Sequence, residues 1–96
     1  MSETVEITAK VTDYRPNAMS DEYNSGGFAV YDATILEVIS PAEKAGSVLP
    51  IYHNQPPPND SVWRAAGARI CFRIDKRLME GGYLLFSAAA KDVTRL

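Results

Sequence analysis

Ninety-six residues with a formal net charge of −2 and 46% hydrophobic content describe one ordinary globular core and leave no material for a second. Cys71 is the single cysteine, so an internal disulfide is excluded, and with it the cystine-stapled scaffolds of small secreted domains. No apolar run approaches the roughly 18 residues of a membrane span and none follows Met1, so residues 1–96 are expected to form one soluble domain without a signal peptide, cytoplasmic by default.

The first predicted element is a half-buried strand. Val5, Ile7, Ala9 and Val11 alternate with Glu6, Thr8, Lys10 and Thr12. Asp13 to Asn17, with Pro16 inside it, ends that strand. Residues 15–27 then read as a long loop, because Asn17, Ser20, Asp21, Asn24, Ser25, Gly26 and Gly27 are turn formers. Long loops in small domains often carry function. The second strand is predicted from Phe28 to Ile39. Ala29, Tyr31, Ala33 and Ile35 share one phase and Leu36 and Val38 the other, so a β-bulge is expected between Ile35 and Leu36. A helix also fits part of this spacing, but the β-branched content favours a strand.

Ser40-Pro41-Ala42-Glu43 resembles a capping box, yet Gly46 leaves room for one helical turn at most. Val48 to His53 reads as a third strand, and Pro50 places part of it at an edge. A stiff proline loop, 54–60, leads to a short predicted helix, Val62–Ala66, stopped by Gly67, with Trp63 as a lid on one end of the core. The last two strands form a hairpin. Ala68, Ile70, Phe72 and Ile74 are expected to face inward from the fourth, and Leu84, Phe86, Ala88 and Ala90 from the fifth. A charged 76–82 turn joins them, and Lys91 to Leu96 is left as a polar tail or a last short strand.

Strand, strand, strand, short helix, strand, strand is an order that resembles the five-stranded OB-fold, a Greek-key barrel with its helix between strands three and four. The stretches Gly67-Ala68-Arg69-Ile70-Cys71-Phe72 and Gly82-Tyr83-Leu84-Leu85-Phe86 are similar to netrin-type modules. Those are OB-like barrels found in protease inhibitors and secreted interaction domains. The resemblance implies a mostly β fold and carries no functional residue across. The inhibitors of that family begin with a metal-chelating cysteine and carry several disulfides, whereas this chain begins Met1-Ser2-Glu3-Thr4.

The chemistry expected of the chain is binding. His53 and Cys71 are one histidine and one thiol, too few for a Cys/His metal site, and they are expected to lie apart. No phosphate-cradling glycine loop occurs. No catalytic residue, cofactor or metal is therefore assigned. Leu78 and Met79 sit in the charged turn, where a solvent-facing loop does not want them. They either fold back on the core or meet a protein partner. The first expectation is thus a non-catalytic protein-interaction module using the 15–27 loop and the 76–82 turn.

The alternative is a single-stranded nucleic-acid binder. It would use Arg69, Arg73, Lys76 and Arg77 as the cationic set, with Tyr14 and Tyr23 for stacking. The acidic net charge, with Asp13, Asp21, Glu22 and Asp32 nearby, disfavours it. Charge is unevenly placed: residues 1–43 hold eight acids and two bases, and residues 44–96 eight bases and four acids. A basic face would produce this. So would acidic and basic strands lying side by side, with Arg69 and Arg73 meeting Glu6 and its neighbours. A small enzyme is the least favoured reading.

Overall fold

The computed structural model describes residues 3–22 and 27–96. The chain is mostly β. Its strands are β1 (Thr4–Glu22), β2 (Phe28–Ser40), β3 (Val48–His53), β4 (Arg69–Asp75), β5 (Leu85–Phe86) and β6 (Lys91–Arg95). They form one open sheet in the order β5-β3-β2-β1-β4-β6. All pairings are antiparallel except β3 with β5, which is parallel. Only α1 (Lys76–Glu80) is α-helical among the described residues, and Ala42–Lys44, Val62–Arg64 and Ser87–Ala89 are single 3-10 turns. None of the described helices is long and apolar enough to cross a membrane.

The core follows the period-two alternation. Ile7, Ala9 and Val11 from β1 meet Ile70, Phe72 and Ile74 from β4, Leu36 and Val38 from β2, Ile51 from β3, Leu85 from β5, and Trp63. Phe72, Ile7, Leu36 and Ile51 are fully buried, each contributing about 1.5–3 kcal/mol by leaving water. The β1–β4 register places Glu6 opposite Arg73, and their side chains meet at 3.9 Å. Lys76 reaches Glu3 at the same distance. Acidic and basic segments do lie side by side.

Several expectations are corrected. Residues 15–27 are not one long loop. β1 continues through Glu22 and pairs with β2 as far as Phe28, while Tyr23 to Gly26 lie outside the described residues. The turn formers and Pro16 are absorbed by a bulge: Arg15 pairs with Ala33 and Met19 with Tyr31, so 16–18 all oppose Asp32. Asn17 takes a left-handed φ of 53° there, a conformation its short polar side chain tolerates.

The bulge expected between Ile35 and Leu36 lies in the partner strand instead. Thr12 is the extra residue, between the pairs Val11–Leu36 and Asp13–Ile35, and β2 runs in unbroken register against β3. The 62–66 helix is only the 3-10 turn Val62–Arg64, capped by Ser61 Oγ accepting from Trp63 N at 3.3 Å. The sheet has six strands rather than five, because the fifth stops after two residues at the Ser87–Ala89 turn and the tail forms β6. In β5 it is Leu85 that is buried, while Leu84 is 54% exposed. The 76–82 turn contains α1, begun by Asp75, whose carboxylate accepts from Arg77 N at 2.8 Å.

Candidate functional site

The bulge at Thr12 decides what one end of the sheet contains. Without it, Asp13 and Arg15 would continue the inward series of Val5 to Val11. One extra residue reverses the phase. Asp13 and Arg15 then lie outside as an exposed ion pair at 3.1 Å, and Tyr14 pairs with Thr34 on the inner face. Asp32 and His53, a cross-strand pair of β2 and β3, share that face. The 3-10 turn adds Trp63 and Arg64 from above.

These side chains form a closed network. Thr34 is fully buried and His53 is 1% exposed. Thr34 Oγ1 donates to the Trp63 carbonyl at 2.7 Å and lies 2.7 Å from His53 Nε2. A hydroxyl has one proton, and it goes to the carbonyl. His53 must therefore donate from Nε2, which assigns the neutral Nε2–H tautomer. The Tyr14 hydroxyl donates to Asp32 Oδ2 at 2.6 Å, and Asn17 N donates to Asp32 Oδ1 at 3.0 Å. Tyr14 stacks on His53 with ring centroids 5.8 Å apart, and His53 meets Trp63 edge-on at 5.6 Å. The Arg64 guanidinium covers the Tyr14 ring at 4.5 Å and donates to Asn59 Oδ1 at 2.8 Å.

The electrostatics follow from the contacts. Burial, then the hydrogen bond to the Asp32 carboxylate, pushes the Tyr14 phenol up to about 12. The same hydrogen bond, then the Asn17 N–H, holds Asp32 below the usual carboxylate range. Burial lowers His53, with Arg64 adding to the effect and Asp32 opposing it. His53 cannot activate Thr34 as a nucleophile, because the hydroxyl proton points at the Trp63 carbonyl and the imidazole already donates to that oxygen. Both Asp32 oxygens are engaged. Apart from Arg64 Nε, which is buried without a hydrogen-bond partner, the cluster is a satisfied polar plug that fixes the Trp63 turn against the sheet. No described group of three or more His, Cys, Asp or Glu side chains could hold a metal ion.

The other feature is apolar and open. The β3–β5 ladder consists of the pairs Ile51–Leu85 and Tyr52–Phe86 and stops at Pro50, which has no N–H for a further rung. Beyond that point the 82–84 segment leaves β3, and a groove of about 220 Å3 opens between them. Leu49, Pro50, Leu78, Met79, Tyr83 and Leu84 line it, with Lys44 at its polar end. Gly81 shapes its wall, since a Cβ there would lie 2.5 Å from the Tyr83 ring. Tyr83, Leu84 and Val48 are 65%, 54% and 70% exposed, an unusual concentration of large apolar surface for one edge.

The residues singled out from the sequence are scattered among these features. Leu78 and Met79 pack partly on the core and also line the groove. Arg69 and Arg73 are on the exposed face of β4, but Arg69 sits opposite Lys10 and Arg73 meets Glu6. Lys76 meets Glu3 and Glu80, and Arg77 meets Asp75. Tyr14 belongs to the polar plug, apart from those bases, and Tyr23 lies outside the described residues. Cys71 faces Thr8 and Thr94 across its ladders, whereas His53 is buried on the inner face.

Sequence reasoning missed Asp32, Thr34 and Arg64 as participants. Thr34 was readable, being a polar residue in phase with Leu36 and Val38. Comparisons with known protein families, with curated proteins and with solved structures returned no match.

Proposed function

We propose that this chain is a non-catalytic protein-interaction module that docks its partner on the groove between β3 and the α1–Leu85 segment. The observation carrying this reading is the groove itself, an apolar trough rimmed by exposed Tyr83 and Leu84. Tyrosine and leucine held against a rigid edge are the kind of surface that buries well against another protein. The groove includes Leu78, Met79 and Gly82 of the 76–82 segment. No described residue of the other expected contact region, 15–27, lines this groove. The nucleic-acid alternative loses support, because Arg73, Lys76 and Arg77 already face carboxylates and Tyr14 is engaged by Asp32.

The fold on which this rests is, in our reading, an OB-like barrel whose fifth strand is interrupted. β5 pairs parallel to β3, β6 pairs antiparallel to β4, and only Ser87–Ala90 separates them. Joining those two halves would link both ends of the sheet.

The test is affinity capture with the immobilised chain, followed by the double variant Tyr83→Ser, Leu84→Asp and the control Asp13→Asn. The partner is expected to be lost with the double variant and kept with the control, both remaining folded by circular dichroism. Retention of every partner by the folded double variant would overturn the docking assignment.

A further inference from the structure

Resting on that docking reading, we infer that the groove takes an extended peptide segment presenting one large apolar side chain next to a carboxylate. Three observations select this occupant. Size comes first. At about 220 Å3 the groove falls below the roughly 300–1,000 Å3 of pockets that enclose a whole small molecule, and it suits a single anchor side chain.

Charge comes second. The groove lining contains one cation, Lys44, and no anion. Lys44 is half-buried and has no ion-pair partner among the described residues. An ammonium set beside apolar walls selects an anion on the incoming chain.

Backbone comes third. Val38 N donates to the Ser47 carbonyl at 2.9 Å and Gly46 N donates to the Val38 carbonyl at 2.8 Å, so β3 leaves its hairpin with Ser47 turned toward β2. Alternation then turns Val48 and Pro50 the other way, toward the groove. The Pro50 carbonyl is taken up by Leu85 N–H in the parallel β3–β5 ladder, which does not extend to Val48. Val48 therefore offers an N–H and a carbonyl to whatever lies alongside. A peptide backbone answers those groups by strand addition, and an apolar acid without amides does not.

The probes are two end-capped octapeptides in a Ser/Thr background, each with one central Phe, flanked by two Glu in one and two Lys in the other. Binding is read from amide shifts of Val48, Leu49 and Tyr83 at low salt, with wild type, Lys44→Glu and Tyr83→Ser. The Glu peptide is expected to bind at least about fivefold more tightly than the Lys peptide, the order is expected to reverse with Lys44→Glu, and Tyr83→Ser is expected to weaken both. Equal affinity for the two peptides, unchanged by Lys44→Glu but abolished by Tyr83→Ser, would overturn the anion assignment while leaving the docking groove standing. Absence of shifts at Val48 and Leu49 with either peptide at millimolar concentration would overturn the extended-peptide inference, and the capture experiment would still decide the docking reading by itself.

Discussion

The polar plug and the apolar groove lie on either side of β3 and differ in one respect. In the plug the chain satisfies its own demands in all but Arg64 Nε: Thr34, His53, the Trp63 carbonyl, Tyr14, Asp32 and Asn17 each find a partner within the fold. In the groove it does not. Pro50 ends a ladder that pairs the strands only from Ile51 onward, and the space before it is lined by apolar side chains that water must cover. Rich hydrogen-bond chemistry in a small domain thus marks the part that holds the fold. The unsatisfied edge marks the part free for a partner. Polar residue types alone would have pointed to the wrong end of the molecule.

Substitutions can break this contrast, and the largest effect is expected at the plug. Trp63→Ala should lower unfolding free energy by about 3–5 kcal/mol in urea titration, since it empties the space against His53 and Phe72. Thr34→Val keeps the volume but leaves the Trp63 carbonyl and His53 Nε2–H without their shared partner. A loss of about 1–3 kcal/mol is expected, and an unchanged urea midpoint would show that the network is not what holds the turn.

The plug should also report pH. The His53 pKa is depressed below its ordinary 6.5, so the unfolded chain binds its proton first as pH falls. Stability is then expected to be undiminished above 6.5 and to decline below it, down to the folded-state value. Urea midpoints measured from pH 8 to pH 5 check this, and His53→Gln should flatten the profile. Tyr14 works in the opposite sense. Its pKa is raised from 10.0 to about 12, so its contribution is complete below 10.0 and is lost as pH climbs through 12.

The smallest effect on stability is expected in the groove. Leu84→Asp removes an exposed side chain and should change the unfolding free energy by no more than about 0.5 kcal/mol while abolishing partner capture. Loss of stability beyond that range would mean that the groove belongs to the core.

Much of the fold was legible because it depends on local alternation. Val5 to Val11 and Ile70 to Ile74 declared their buried face without reference to anything distant. The Glu6–Arg73 meeting followed from the charge imbalance between the two halves of the chain. What failed was register. Thr12 carries no sequence mark of a bulge, yet it sends Tyr14 inward and Asp13 out. Leu84 and Leu85 are chemically alike, and only the parallel pairing with Ile51 chooses Leu85 for the interior. Asn17, Ser20 and Asp21 favour turns locally, but pairing with β2 outweighed that preference. Leu78 and Met79 were legible as misplaced apolar residues. The groove they share with Pro50 was not, because its walls come from segments almost thirty residues apart.

Composition and period-two patterning by themselves determined a single β domain, its central strands and the absence of a disulfide, since those properties are summed or repeated over neighbouring residues. The tertiary structure alone decided which polar side chains meet and which apolar edge stays open. A one-residue shift between hydrogen-bonded strands exchanges inside for outside, and the energy that fixes such a shift comes from contacts distant along the chain.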